Sequence, residues 1–218
     1  ANISAGVDPH NILYCVTKRG AGQGFNLTVN IDTQIATSQA AFSYAAPIVV
    51  ALTPLFSPTA GGGTLTIFGS NFGITDYQTS GQVGITLCQT AQWSADSQIE
   101  CIVPAGAGRG HSISVGSDAQ YGSRANLFSY SAPRLVSSNP TGGQTSGRTN
   151  ATITGVNFGT EDIYNISASV GGRQCSHATF VSDSSVVCGT PVGGGTQVLE
   201  VQVAGQQSDL VVPFYYDP

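Results

Sequence analysis

The chain has no methionine, one tryptophan and one lysine, Lys18. Only 9% of its residues are charged, and its net charge is −5 with a pI near 4.8. A nucleic-acid surface needs a basic stripe to displace counterions from phosphates. The few arginines here are scattered, so nucleic acid is set aside. No apolar run reaches the roughly 18–20 residues of a membrane-spanning helix. No signal peptide is read at the start, and the abrupt opening reads as part of something longer. The histidines, His10, His111 and His177, are also scattered, and no CxxC pair exists, which argues against zinc. Asp76, Glu161 and Asp162 share one loop type but read as solvated turn carboxylates, because calcium needs converging oxygens. No nucleophile motif and no recurring carboxylate pair is present, so the chain reads as non-enzymatic, with no cofactor and no metal.

Glycine, by contrast, is abundant at 28 residues, there are 10 prolines, and Ser and Thr make up about a fifth of the chain. With an apolar fraction of 40% the chain can build a core. Abundant Gly and Thr with short apolar runs predict strands and turns. Leu65 and Ile67 alternate with Thr64 and Thr66, Ile113 and Val115 with Ser112 and Ser114, and Leu27, Val29 and Ile31 with polar neighbours. This is the period of a half-buried strand.

A repeat organises these runs. "FSYAAP" begins at Phe42, "FSYSAP" at Phe128, and Phe214 opens "FYYDP", a constant step of 86 residues. "GTLTIFGSNFG" matches "TNATITGVNFG", and "CQTAQWSADSQIEC" matches "CSHATFVSDSSVVC". Cys88 to Cys101 and Cys175 to Cys188 are both 13 apart. These equal spacings predict the same disulfide in two copies, Cys88–Cys101 and Cys175–Cys188, with buried free thiols as the alternative. A closed loop of that size contributes about 3 kcal/mol in the chain-entropy account. Cys15 matches the second cysteine of each pair, so its partner is expected just upstream of residue 1. The chain thus divides into a C-terminal half copy (1–45) and two full copies (46–132 and 133–218).

Four sequons occur, at Asn2, Asn26, Asn150 and Asn165. Asn26 and Asn150 fall on polar strand faces, and Asn165 falls in a loop or strand edge. With the disulfides they predict a secreted or cell-surface eukaryotic glycoprotein carrying covalent N-glycans.

The order of "P…GG…T", "GxNFG", Cys-(x)12-Cys, "P-x-G-x-G", alternating Val/Ile and a closing "FxY" resembles the IPT/TIG domain. That is an immunoglobulin-like fold shared by plexins, transcription factors and extracellular repeat proteins. The cysteine spacing with an intervening Trp93 or Phe180 is closest to plexin-like and fibrocystin-like ectodomains. The resemblance implies an all-β chain of tandem immunoglobulin-like sandwiches and no particular ligand.

Within this frame "GAGQG" and "GAGRG" read as turns between strands, not phosphate loops, because strand residues follow them. The glycines of "GSNFG" and "GVNFG" are expected to supply positive φ, with Phe72 and Phe158 plugging the sandwich end. Trp93 and Phe180 are expected to pack near their disulfides, and Asp96-Ser97 and Asp183-Ser184 to form turns.

The short joints, with Pro47 and Pro133 opening the copies, predict a semi-rigid rod. Three readings compete. The first is a structural segment of an extracellular glycosylated rod or fibre, whose partners are neighbouring repeats and other copies in a filament. The second is a receptor or adhesin ectodomain with a protein or carbohydrate ligand, for which Tyr77, Tyr164 and Arg173 are the candidate contacts. The third is a carbohydrate-binding module of a secreted enzyme. The half copy is expected to be completed by upstream chain or by strands from another chain.

Overall fold

The computed structural model describes residues 3–5, 12–161 and 164–217. Asn2, His10 and Asp162 lie outside the described residues. Among the described residues there are strands, turns and loops but no helix.

The N-terminal strands are β1 (Ile3–Ala5), β2 (Leu13–Cys15), β3 (Phe25–Ile31) and β4 (Gln34–Phe42). The middle copy contains β5 (Ile48–Thr53), β6 (Phe56–Ser57), β7 (Thr64–Ser70), β8 (Ser80–Val83), β9 (Thr86–Leu87), β10 (Thr90–Ala95), β11 (Gln98–Ile102), β12 (His111–Ser117) and β13 (Gln120–Tyr130). The C-terminal copy contains β14 (Arg134–Asn139), β15 (Gly142–Gln144), β16 (Asn150–Val156), β17 (Ile166–Val170), β18 (Arg173–Gln174), β19 (Ala178–Ser182), β20 (Ser185–Gly189), β21 (Gly195–Val203), β22 (Gln206–Gln207) and β23 (Val212–Asp217).

Each full copy is two facing sheets. In the middle copy β10-β11-β7-β5 faces β6-β13-β12-β8-β9. In the C-terminal copy β14-β16-β20-β19 faces β15-β23-β21-β17-β18, with β22 added beside β21. The pairings are antiparallel except for β6 with β13 and β15 with β23. The long β13 has a broken counterpart, since β22 and β23 are separated by residues 208–211.

Period-two alternation builds the two cores. On β7, Leu65 and Ile67 are fully buried while Thr64 is exposed. On β16, Ala151 and Ile153 take the same positions. Ile99, Ile113, Val115 and Phe128 complete the middle core; Val186, Leu199, Val201 and Phe214 complete the C-terminal one. Cys88 follows β9 in one sheet and bonds to Cys101 on β11 of the other. Cys175, after β18, bonds in the same way to Cys188 on β20. Each bridge therefore staples sheet to sheet.

The N-terminal strands are different. β1 pairs only with β2, and β3 only with β4, among the described residues. Leu13, Leu27, Ile31 and Ile35 are exposed, and so is the unbonded Cys15.

Candidate functional site at the joints

The chemistry that recurs most faithfully in this chain lies where one copy meets the next. The closing tyrosine of each copy donates its hydroxyl to a backbone carbonyl of its own copy. Tyr44 reaches Lys18 at 2.7 Å, Tyr130 reaches Pro104 at 2.9 Å and Tyr216 reaches Pro191 at 2.8 Å. Beside each ring sits a glycine, Gly20, Gly106 or Gly193, whose added Cβ would fall 2.4–2.8 Å from the ring. The closing phenylalanine meets that ring edge-on, with centroids 5.2 Å apart for Phe128 and Tyr130.

The seam's backbone carbonyls are then gripped by the following copy. Gln120 donates to the Tyr44 carbonyl at 2.9 Å, and Gln206, 86 residues later, to the Tyr130 carbonyl at 3.0 Å. Asn71 donates to the Ala46 carbonyl at 3.1 Å, and Asn157 to the Ala132 carbonyl at 3.2 Å. The two joints are thus closed by the same bonds at the same step. Ala21 and Ala107, from the glycine-rich loops, are both buried here, and Ala107 packs into the core of the C-terminal copy. Those loops are turns, and they are also joint plugs, a role the sequence reading did not assign.

The "GxNFG" turn serves the same joint, with a division of labour. Only the last glycine, Gly73 or Gly159, has positive φ, at 100° and 97°. The other left-handed residue is the asparagine, at 63° and 64°. The first glycine needs space instead. A Cβ on Gly69 would sit 1.9 Å from the Ile48 carbonyl oxygen, and one on Gly155 would sit 2.4 Å from that of Arg134. This corrects the expectation that the turn's glycines act through positive φ as a group. Phe72 and Phe158 are fully buried beneath the turn.

Asp96 and Asp183 do more than turn the chain. The Asp96 carboxylate accepts the Gly73 N–H at 2.9 Å, and that of Asp183 accepts the Gly159 N–H at 2.8 Å. The same oxygen of Asp183 also accepts the Thr59 hydroxyl at 2.5 Å, across the joint from the middle copy. Burial pushes the Tyr130 hydroxyl up to about 12, with neighbouring Tyr164 adding to the shift. Burial also raises Tyr164, with a hydrogen bond to Thr160 opposing and Glu161 adding. Burial raises Tyr216 too, and Arg173 opposes it.

The other sequence candidates fall as follows. Trp93 is half-buried and its indole N–H donates to the Gly73 carbonyl at 3.1 Å, so it props the turn. Phe180 is likewise only half-buried. Tyr77 and Tyr164 stack against equivalent glycines, Gly73 and Gly159, so they are repeated structural residues and not an asymmetric contact patch. Arg173 is exposed and donates to the Val192 carbonyl at 3.1 Å. Asp76 accepts the Thr79 N–H at 2.9 Å in a local turn. Asn26, Asn150 and Asn165 are all exposed, and the Asn26 side-chain oxygen accepts the Ala40 N–H at 3.0 Å. No cluster of three potential metal ligands exists among the described residues. Gln120, Gln206 and Thr59 went unnoticed in the sequence. The two glutamines do recur at the 86-residue step, which marks them as repeated without showing what they bond.

Residues 47–130 and 133–216 each match the IPT/TIG domain. The chain is 33% identical over 180 residues to human Plexin-B3, covering 78% of this chain and 9% of that protein. It is 32% identical over 168 residues to mouse Fibrocystin-L, covering 76% of this chain and 4% of that protein. Among solved structures, a surface glycan-binding protein from Prevotella bryantii superposes with TM-score 0.54 at 15% identity, over 80% of this chain and 43% of that one. That likeness concerns the fold alone. The chain spans a tenth or less of the length of these plexin and fibrocystin-like relatives. With two matched domains filling well over half of its length, the chain belongs to the IPT/TIG domain family.

Proposed function

We propose that this segment is a non-enzymatic spacer in an extracellular or cell-surface protein, a stretch of semi-rigid rod made of IPT/TIG sandwiches. The observation that carries the reading is the identical pair of joint bonds, Gln120 with Tyr44 and Asn71 with Ala46, then Gln206 with Tyr130 and Asn157 with Ala132. A flexible tether has no use for paired side-chain clamps at a fixed step. Inter-sheet disulfides and exposed sequons at Asn26, Asn150 and Asn165 suit an oxidising compartment and a glycan coat. Sugars there would offset the low surface charge in keeping a rod soluble.

A second reading, a receptor ectodomain that displays a ligand-binding domain elsewhere in its chain, draws on the 33% identity to Plexin-B3. The two share the rod and differ in what the rod carries. Electron microscopy of the whole native protein tests the common part. Thin particles with a regular repeat along their length are expected, and a compact particle would overturn the rod. Glycopeptide mass spectrometry under non-reducing conditions tests the compartment: free thiols and bare asparagines would remove it.

A further inference from the structure

The outer face of the six-stranded sheet in the C-terminal copy carries a groove of about 230 Å³. It is lined by Ser167 and Ser169 of β17, Gln174 of β18, Glu200 and Gln202 of β21 and Gln207 of β22. Strand register sets these side chains side by side. Ser167 lies opposite Gln202, which lies opposite Gln207, and Ser169 lies opposite both Glu200 and Gln174. They hold one another loosely. The Ser167 hydroxyl is 3.4 Å from the Gln202 amide oxygen, and the Ser169 hydroxyl is 3.4 Å from the Glu200 carboxylate. Both distances are long for an O–H donor. Hydroxyls and amides that donate and accept, beside one carboxylate and no lining cation, suit a neutral ring that bears hydroxyl groups.

A sugar acceptor stands at the mouth of this groove. Asn165 extends β17 by one residue, because its carbonyl accepts the Ala204 N–H at 3.0 Å, one step beyond the Ile166–Val203 pair. Ile166 packs against the core, so Asn165 and Ser167 share the outer face. Same-face neighbours on a strand are about 7 Å apart, a span that one sugar ring covers. The first sugar on Asn165 can therefore lie over Ser167 and Gln202.

The middle copy shows the same place without an acceptor. Gln78 stands where Asn165 does, and the row Ser167, Gln202, Gln207 becomes Ser80, Gly116, Tyr121. There the face is filled from within. Gly116 is buried, and a Cβ on it would fall 2.7 Å from the Tyr121 ring and 2.4 Å from the Ser80 hydroxyl oxygen. The Tyr121 ring thus lies across the sheet at the position where the C-terminal copy leaves Gln202 exposed. One copy has the ring and no sequon, and the other has the sequon and an open groove. The sequon at Asn150 lacks such room on its Gly189 side. A Cβ on Gly189 would meet the His177 ring and the Ser176 hydroxyl, each at 2.4 Å.

We propose that this groove seats the N-glycan of Asn165, with the first N-acetylglucosamine lying on the sheet and bonded by Ser167, Glu200, Gln202 and Gln207. The groove has no aromatic ring for a sugar to stack on, so a free glycan would be held weakly. A tethered one is presented at a roughly millimolar effective concentration or above, and a few bonds keep it down. The proposal rests on the glycoprotein reading and adds a fixed direction for one of its sugars, leaving those on Asn26 and Asn150 free.

The test is release of glycans by a peptide-N-glycosidase from the folded 218-residue chain, secreted by a eukaryotic host and followed site by site by mass spectrometry. Cleavage follows the population of the lifted glycan when seating is fast. Release from Asn165 is expected to be at least about tenfold slower than from Asn150. Gln202→Gly with Gln207→Tyr, which copies the filling of the middle copy, should bring the two rates together. Glu200→Ala, a smaller change, should speed Asn165 several-fold and leave Asn150 unchanged. Equal rates in the parent chain, or a slow Asn165 that neither variant speeds, overturn the proposal. A bare Asn165 beside occupied Asn26 and Asn150 overturns it too and leaves the glycoprotein reading standing, whereas bare asparagines at every sequon remove both. Tight binding of free N,N′-diacetylchitobiose by the Asn165→Gln chain, read by titration calorimetry, would make the groove a site for a foreign glycan and also sink the proposal.

Discussion

Replacing Thr59 by valine removes one bond across the joint and little else. Thr59 is 1% exposed, and its hydroxyl donates at 2.5 Å to the Asp183 carboxylate in the next copy. Valine has nearly the same shape, so packing is retained. Asp183 keeps its intradomain partner, the Gly159 N–H at 2.8 Å, so the turn beneath it stays latched. What is lost is a hydrogen bond to a charged acceptor, worth about 1.5–3 kcal/mol. For a domain of this size that corresponds to a fall of about 10 °C in the melting of whichever copy unfolds first. The control is Thr145→Val, the counterpart position in the C-terminal copy, which is exposed and has no side-chain bond among the described residues. Calorimetry of both variants decides the matter. Thr59→Val should separate the two melting transitions, and Thr145→Val should leave them in place. If the two variants melt alike, the joint contributes nothing and the argument for coupled copies fails.

Further predictions concern single copies. Gly69→Ala should destabilise the middle copy by about 2–3 kcal/mol, because the new Cβ meets the Ile48 carbonyl oxygen at 1.9 Å and the Phe72 ring at 2.4 Å. Gly63→Ala, whose Cβ meets only Ser57 at 3.6 Å, should be near neutral by the same urea titration. Replacing Cys175 and Cys188 together by alanine should cost the C-terminal copy about 3 kcal/mol from the freed loop, so that in calorimetry this copy melts first. The Tyr130 proton is held to about pH 12 in the folded chain, against about 10 in the unfolded one. The stability this contributes is complete below pH 10 and is lost as pH rises towards 12. Tyr130→Phe should therefore flatten the fall in stability over that window, read by denaturant midpoints at successive pH values. A variant as pH-sensitive as the parent would exclude Tyr130 as the titrating group.

Much of the fold could be read from the sequence because its signals are local. Alternation placed Leu65, Ile67, Ile113 and Val115 in the core, where they are fully buried. The recurring "FxY" marked where each copy ends. The "GxNFG" turn was visible too, but not its mechanics. Two glycines look alike in a sequence, yet Gly69 is excluded from having a Cβ by a neighbouring strand and Gly73 by its φ. The joint bonds were the least legible. Gln206 sits in "AGQQ", which reads as a solvated turn, and its partner is the Tyr130 carbonyl of another copy. Such a contact depends on how two folded bodies are placed, and no local pattern encodes that. Thr59 was hidden for the same reason, since a threonine beside Pro58 in a glycine-rich loop looks like any surface hydroxyl.

On the proposed reading the copies hold one mutual orientation, because Gln120 and Asn71 close the first joint as Gln206 and Asn157 close the second. Residual dipolar couplings of backbone amides in residues 47–130 and 133–216, measured on the 218-residue chain, test it most directly. Couplings from both copies are predicted to fit a single alignment tensor with the arrangement fixed by Gln206, Asn157 and Thr59. Two tensors of clearly different magnitude would mean that the copies tumble independently, and the rod would have to be given up.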